Sequence, residues 1–266
     1  MTSSRSTVEI DQTKPSISRV YDALLGGKDN YPVDERVCEH LRATTPHIDD
    51  LAKLNREILG RGVRYLASEA GLKQYLDLGA GLPTVENTHQ IAQSLQPGAH
   101  VVYVDNDPIV LAHGRALLEE NDQTVVVTAD LRNPDNVLEH PDVQRMIDFD
   151  QPVAVMLVGL LHYLHDDEDP AAVVDGYMNA VPAGSHLFIT HFCDSGPEAE
   201  RTEKSFLEFL GSGRFRTQDE ILDLFLGYDL AEPGLVYLPR WRPNRIVRDK
   251  LTVIERLMVG AIARKP

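Results

Sequence analysis

The chain has 266 residues, of which 42% are hydrophobic, 26 are Lys or Arg and 41 are Asp or Glu, giving a formal charge of −15. The hydrophobic share suffices for a buried core, and no apolar run reaches the roughly 20 residues of a membrane-spanning helix. The excess of acid opposes binding to a phosphate backbone, so we expect a small-molecule partner, no nucleic acid and no membrane, with the oligomeric state open.

The first 14 residues are polar and lack a charged head followed by an apolar stretch. We therefore expect a poorly ordered N-terminus over residues 1–14 and a cytoplasmic protein. Cys38 and Cys193 stand far apart in unlike contexts, which favours reduced thiols over a disulfide. We assign neither of them a catalytic role.

The segment 15–70 has the spacing of helices. Its apolar residues first recur with a helical period up to Gly26, which predicts a short helix ending in a turn. Two further helices are predicted over 34–70, separated near Pro46, with Asp49 or Asp50 as the N-cap of the second. We expect this segment to form a helical cap on a second unit, residues 71–266.

From Lys73 onward, short apolar runs alternate with helical stretches, which is typical of a parallel sheet covered by helices on both faces. Strands are predicted at 74–78, 100–105, 124–128, 153–158 and 185–190, and an antiparallel edge hairpin at 234–239 and 256–263. Helix N-caps are predicted at Asp107, Asp169, Ser195 and Thr217. The expected fold class is α/β, a Rossmann-like, doubly wound, mostly parallel seven-stranded sheet with an antiparallel edge hairpin and an N-terminal helical cap.

A glycine-rich loop follows the first predicted strand in the sequence LDLGAGLP, residues 76–83. Gly79 and Gly81, on either side of Ala80, let the backbone turn sharply and approach a ligand, and the next helix offers free amides. A dinucleotide-binding loop would need a third glycine where Thr84 stands. The loop favours a nucleotide-like ligand, although an ordinary strand-to-helix turn also explains it.

Carboxylates follow the second and third predicted strands. Asp105 stands where an acid accepts hydrogen bonds from both hydroxyls of a ribose. The alternative role, a helix cap, is better filled by Asp107. Asp130 and Leu131 would clamp an adenine, although a lone aspartate after a strand is usually a turn residue. Three such features at the carboxyl edge of one sheet predict a cleft for an adenosine ligand.

The motifs LDLGAG, VVYVDND and ADLR resemble those of class I S-adenosylmethionine-dependent methyltransferases. The longer segments PSISRVYDALLGGKDNYPVDE, LDLGAGLPTVENTHQIAQ, VVYVDNDPIVLAHGRALL and VGLLHYLHDD resemble one actinobacterial methyltransferase family long catalogued as a domain of unknown function. The resemblance covers roughly residues 15–265, and the GGKDNYPVD stretch is specific to this family. It implies S-adenosyl-L-methionine as cofactor and an N-terminal segment folded over the site, and it supplies no settled acceptor.

The resemblance and the loop positions together define the candidate site. The cofactor-binding candidates are Asp77, Gly79, Ala80, Gly81, Asp105, Asn106, Asp130, Leu131 and Gly159, together with Tyr21, Asn30 and Tyr31 of the cap.

The stretch from Tyr21 to Tyr31 has the composition of a lid. Gly26 and Gly27 offer a hinge, and tyrosine faces beside Lys28 and Asn30 suit a cover over a small cationic ligand. The alternative is a packed helix with a glycine C-cap.

His162 follows the fourth predicted strand and is the candidate catalytic residue, as a general base or an orienting hydrogen-bond donor near the acceptor. The alternative is a satisfied histidine in the pocket wall. His165, Asp166 and Asp167 stand close by, but they match no recognised ligand pattern and the acids suit a solvated helix start, so we expect no metal.

The sequence thus favours an S-adenosylmethionine-dependent methyltransferase acting on an unidentified small-molecule acceptor. Two alternatives stay open. An NAD(P)-dependent oxidoreductase shares the loop and the ribose acid but lacks the third glycine. A non-catalytic module that binds S-adenosylmethionine would show the same cleft without turnover.

Overall fold

The structure is a computed structural model that describes residues 11–83, 86–117 and 121–266. Most of the predicted poorly ordered N-terminus, residues 1–10, lies outside these ranges, as does Thr84. Within the same ranges, no helix is both long and apolar enough to cross a membrane.

The described part of the chain contains one sheet of eight strands. They are β1 (Gln74–Leu78), β2 (His100–Asp105), β3 (Thr124–Thr128), β4 (Ala154–Val158), β5 (His186–Phe192), β6 (Asp229–Leu230), β7 (Val236–Tyr237) and β8 (Met258–Arg264). Their order is β3-β2-β1-β4-β5-β8-β6, and β7 also pairs with β8. Strands β1 to β5 are parallel, whereas β8 runs antiparallel to β5, β6 and β7. The sequence order reverses between β1 and β4, where open α/β sheets bind ligands.

Helices precede and separate the strands. They are α1 (Ile17–Leu25), α2 (Pro32–Thr44), α3 (Ile48–Ser68), α4 (Thr88–Leu95), α5 (Pro108–Leu117), α6 (Pro134–Leu138), α7 (Pro141–Met146), α8 (Pro170–Asn179), α9 (Pro197–Leu210) and α10 (Gln218–Asp223). The segment 15–70, for which the sequence predicts a cap, contains α1, α2 and α3, and it is called the cap below.

Both faces of the sheet are covered, because neighbouring residues of a strand point to opposite sides. In β4, Met156 belongs to the apolar cluster that includes Ile58 of α3. Its neighbour Val155 belongs to the cluster that includes Tyr177 of α8. This two-sided burial explains the continuous apolar runs in the sequence and confirms the doubly wound, Rossmann-like fold.

Several local expectations are confirmed. The five parallel strands lie within two residues of their predicted bounds, and β7 and β8 form the predicted antiparallel pair. Asp169 and Thr217 accept hydrogen bonds from amides in the first turns of their helices. Cys38 and Cys193 are both buried free thiols.

In the described residues a two-residue strand, β6, joins the seven strands that the sequence predicts, and so short a strand leaves no pattern in the sequence. Other local expectations were wrong. The N-cap of α9 is Gly196 instead of Ser195. The N-cap of α3 is His47, and Asp49 and Asp50 lie inside its first turn, where carboxylates favour the helix dipole.

A buried ion pair fastens the start of the cap. Arg19 Nε donates to Asp34 Oδ2 at 2.8 Å, and the two side chains are only 3% and 0% exposed. Asp34 also accepts hydrogen bonds from the backbone amides of Ser16 and Tyr31, at 3.0 and 2.8 Å. One carboxylate therefore joins the N-terminus of α1 to that of α2.

A second carboxylate shapes the turn between α1 and α2. Asp22 Oδ2 accepts from the amide of Asp29 at 3.0 Å and from the side-chain nitrogen of Asn30 at 3.1 Å. Gly27 packs so closely on this carboxylate that any side chain at that position would displace it. Gly26 is the left-handed C-cap of α1, as the packed-helix alternative predicts. The GGKDN stretch is thus a turn held by side-chain hydrogen bonds.

We predict that Asp34→Ala lowers the free energy of unfolding by about 3–5 kcal/mol, because it leaves the buried Arg19 guanidinium without its counter-charge, bonded to the backbone carbonyls of Asp11 and Lys14. Urea denaturation followed by circular dichroism measures this. The control is Asp142→Ala, which removes an exposed partner of Arg145 and should cost less than about 1 kcal/mol. Equal losses in the two variants would contradict the prediction.

Candidate functional site

A cleft of about 640 Å³ opens at the carboxyl ends of β1, β2, β3 and β4. Its described lining comes from the loops after these strands, from α1 and α3, and from Gly211 and Ser212 after α9. Ten of the twelve predicted cofactor residues line it. They are Tyr21, Asp77, Gly79, Ala80, Gly81, Asp105, Asn106, Asp130, Leu131 and Gly159.

The glycine loop and the acid after β2 are joined directly. The amide of Gly81 donates to Oδ2 of Asp105 at 2.8 Å, and the amide of Asp107 donates to Oδ1 at 2.9 Å. Each carboxylate oxygen keeps a further lone pair for a ligand. Gly81 has a φ of +65°, and a side chain there would project into open space. The loop therefore exposes its backbone beside an oriented acceptor pair.

Two carboxylates of the cleft have raised pKa values. Burial raises the pKa of Asp77 to about 6, although a hydrogen bond from the Thr88 hydroxyl at 2.7 Å favours its ionised form. Burial also raises the pKa of Asp105 to about 6 against the hydrogen bonds from backbone amides. Both groups are ionised at neutral pH, and they hold negative charge at the base of the cleft.

The third acid has a partner that the sequence did not predict. Arg132 donates from its Nε and from a terminal guanidinium nitrogen to Asp130, and these bonds hold the pKa of that carboxyl below its usual value. The same guanidinium donates to Glu168 at 2.8 Å. The carbonyl of Leu131 accepts from the Tyr177 hydroxyl. The adenine clamp would therefore include Arg132 and Glu168, which also line the cleft.

Asn55 and Arg56 of α3 line the cleft, although the sequence analysis did not predict them as site residues. The side-chain oxygen of Asn55 accepts from Thr190 of β5 at 2.6 Å, and its nitrogen donates to the Tyr21 hydroxyl at 3.2 Å. A Cβ on Gly159 would lie 2.7 Å from that nitrogen. An asparagine within the apolar stripe of a long helix was the available signal, because a buried amide needs partners.

Two cap residues lie outside the cleft. Asn30 donates to Asp22, and the Tyr31 ring packs against the apolar cluster of Leu82, Ile109 and Val110. Both residues line a separate surface depression beside α2. Both residues belong to the stretch between α1 and the start of α2, and neither is among the described residues that line the cleft.

His162 lies behind the cleft, in the wall of a smaller chamber, and is 2% exposed. Its ring packs 4.2 Å from that of Tyr163 and 4.7 Å from that of Phe192, measured between centroids. Burial lowers the pKa of His162 well below its usual value, and His191 and Arg216 add to the effect. The imidazole is therefore neutral at physiological pH.

The residues after His162 have other partners. His165 lines the cleft, while the Asp166 carboxylate accepts from Arg216 at 2.8 Å and from Arg214 at 3.0 Å. In the three described ranges, no group of three or more His, Cys, Asp or Glu side chains is placed to hold a metal ion.

A family model described as S-adenosyl methyltransferase matches residues 3–266. The chain belongs to this family. It is an S-adenosylmethionine-dependent methyltransferase, and the oxidoreductase alternative is set aside. The match agrees with the resemblance carried by the GGKDNYPVD stretch. No curated protein matches this sequence.

Two solved structures are similar to this member of the S-adenosyl methyltransferase family along its length. A candidate methyltransferase from Thermobifida fusca is 50% identical, with a TM-score of 0.93 and 96% of each chain covered. A DUF574 family protein from Streptomyces avermitilis is 35% identical, with a TM-score of 0.93, and covers 97% of this chain and 100% of its own. Human N-acetylserotonin methyltransferase, solved with S-adenosylmethionine, is 14% identical with a TM-score of 0.50 over 95% of this chain and 63% of its own, and shows a shared fold alone.

The raised pKa values give a prediction about stability. Between about pH 4 and pH 6 the native protein keeps a proton on Asp105 that the unfolded chain has released, so the free energy of unfolding falls as pH rises through this window. Asp105→Asn should remove the contribution of Asp105 to this decrease in the free energy of unfolding, which is on the order of 3 kcal/mol. Urea titrations of the cofactor-free protein at pH 4, 5, 6 and 7 measure the slope.

The control for this prediction is Asp142→Asn on the exposed side of α7, which should follow the wild-type pH curve. If Asp105→Asn followed the wild-type curve as well, burial would not be raising the pKa of Asp105.

Proposed function

We propose that this methyltransferase binds S-adenosyl-L-methionine in the cleft at the β1–β4 edge and transfers the methyl group to a small-molecule acceptor in the cytoplasm. The observation that carries the proposal is the hydrogen bond between Gly81 and Asp105, which presents an oriented carboxylate beside exposed backbone in the cleft that Asp130 also lines.

The adenosine half of the cofactor fits the loops after β2 and β3. Asp105 offers two acceptor oxygens for the ribose hydroxyls, and Asn106 lines the same wall. Asp130 offers a carboxylate to the exocyclic amine of adenine, while its bonds with Arg132 keep it ionised and in place. Leu131 supplies an apolar contact to the ring.

The methionine half fits the opposite end of the cleft. Asp77 is a buried acceptor for the amino group, and Arg56 lines the cleft near enough to favour the ionised form of Asp77. Arg56 also donates to the backbone carbonyl of Glu86 at 3.2 Å, which directs it toward the glycine loop. A guanidinium there suits the carboxylate of the methionine tail.

The charge of the cleft suits a cation. Among the described lining residues, acids outnumber arginines by five to two. The acids are Asp77, Asp105, Asp130, Asp167 and Glu168, and the arginines are Arg56 and Arg132. S-adenosylmethionine supplies a methyl group activated by a positively charged sulfur. The Tyr21 ring at the cleft adds a face that attracts such a cation.

The acceptor side is bounded by the cap, which favours a small molecule over a macromolecule. Tyr21 of α1 and Tyr163 after β4 both line the cleft, and Tyr21 is tied to α3 by its hydroxyl, which donates to the Ala52 carbonyl at 3.2 Å. Positioning and exclusion of water are the main contributions that such an enclosed site makes to methyl transfer, since the leaving group needs no activation.

We predict that Asp105→Ala weakens S-adenosylmethionine binding at least roughly tenfold while the protein stays folded, because hydrogen bonds to a charged acceptor are worth about 1.5–3 kcal/mol. Isothermal titration calorimetry at pH 7.5 measures the affinity, and Asp142→Ala serves as the control that should bind like the wild type. Unchanged affinity in Asp105→Ala would show that the Asp105 carboxylate does not bind the cofactor and would contradict the proposal.

A further inference from the structure

A small chamber adjoins the cleft on the side of the cap. It has a volume of about 40 Å³ and lies between α1, α3, α9 and the end of β5. Tyr21, Asn55, Gly159 and Tyr163 line both the chamber and the cleft, so the two spaces meet at these four residues. Most of the remaining lining is aliphatic or aromatic. It comprises Val20, Leu24, Leu41, Ile48, Leu51, Ala52, Phe192, Phe206, Leu210 and Met258, together with His162.

The polar groups that line the chamber differ in whether they have hydrogen-bond partners. The amide of Asn55 bonds to Tyr21 and Thr190, and the Tyr21 hydroxyl bonds to the Ala52 carbonyl. His162 is different, because both of its ring nitrogens are buried and neither has a hydrogen-bond partner among the described residues. A buried polar group without a partner costs stability, so its presence points to a ligand that completes it.

The surroundings hold the His162 ring in place and leave it uncharged. It packs edge-on against Phe192 and Phe215, with centroids 4.7 and 6.4 Å away, and against His191 at 5.7 Å. His191 has its own partners, since one ring nitrogen lies 2.7 Å from the Phe192 carbonyl and the other 3.1 Å from Arg216. A neutral imidazole presents a donor nitrogen on one edge and an acceptor nitrogen on the other, and the acceptor can take a hydrogen bond from a hydroxyl group.

We propose that this chamber receives the reacting end of the methyl acceptor, and that the acceptor is a compact, uncharged, ring-bearing compound whose hydroxyl group bonds to His162. The inference rests on the proposed function of the adjoining cleft. The apolar walls exclude a charged group, and the rings of Phe192, Phe206 and Tyr163 favour an aromatic one. The volume holds about three water-sized groups, so the rest of the acceptor extends past Tyr21 into the cleft.

The methyl group passes from the sulfur of the cofactor to the acceptor hydroxyl. A bond forms from the acceptor oxygen to the methyl carbon as the bond from that carbon to sulfur breaks. The sulfur keeps the electron pair and becomes a neutral thioether. The hydroxyl proton passes along the hydrogen bond to the unprotonated ring nitrogen of His162 and from there to water in the cleft, so the buried ring is neutral again after the transfer. His162 thus positions the hydroxyl and relays its proton.

The probe for the test is 4-fluorophenol, observed by fluorine NMR at pH 7.5, where its hydroxyl is uncharged as in tyrosine. Fluorobenzene lacks the hydroxyl, and 4-fluorobenzoate replaces it with a charge. We expect 4-fluorophenol to bind the wild-type protein about fivefold or more tightly than fluorobenzene, because it completes a hydrogen bond at His162. We expect no binding of 4-fluorobenzoate.

Two variants locate the probe. Ala52→Leu fills the chamber from α3 without reaching the cleft and should abolish 4-fluorophenol binding. Ala67→Leu adds the same bulk at a buried position of α3 outside the chamber and should leave binding unchanged.

His162→Phe removes an unsatisfied polar group, so it should fold stably and bind both neutral probes alike. His162→Gln should restore a preference for the hydroxyl.

Equal binding of 4-fluorophenol to the wild type and to a folded Ala52→Leu variant would overturn the proposal, as would a hydroxyl preference that survives in His162→Phe. S-adenosylhomocysteine is titrated separately by calorimetry in the same variants and should bind each of them within twofold of the wild type. Failure of the wild type to bind it would refute the proposed function, whereas loss of the 4-fluorophenol signal alone would refute only the chamber.

Discussion

The side chain of Asn55 joins the three parts of the molecule that surround the cleft. Its two polar atoms connect Tyr21 of the cap to Thr190 of the sheet, and its nitrogen packs on the backbone of Gly159 after β4. A buried amide is stable only when its donors and acceptors are used, so this residue fixes the relative positions of all three neighbours. The cleft and the chamber meet at this point, and their separation depends on it.

Two carboxylates organise the cap. Asp34 and Asp22 each accept hydrogen bonds from residues in or beside the segment between α1 and α2. Asp34 is also buried in an ion pair with Arg19. A hydroxyl of Ser16 also bonds to Asp107, which connects the start of α1 to the loop after β2. The cap therefore contacts the wall that is proposed to hold the ribose.

Much of the fold followed from the sequence, because strands buried on both faces carry continuous apolar runs and helix starts carry proline and capping residues. The edge strand Asp229–Leu230 could not be predicted, since two residues define no period. Within the cleft, residues adjacent in sequence to strand ends were found readily. Asn55 and Arg132 were missed because their importance arises from partners more than 30 residues away, Thr190 and Glu168.

The wall that α3 contributes is fixed by a close contact with the sheet. Gly62 packs so tightly on the ring of Phe188 in β5 that a side chain there would push the helix outward. The position of α3 against β5 is therefore closely constrained. The opposite wall of the chamber comes from Phe206 and Leu210 of α9. Substitutions on that helix can reshape the chamber while the nucleoside half of the site stays untouched.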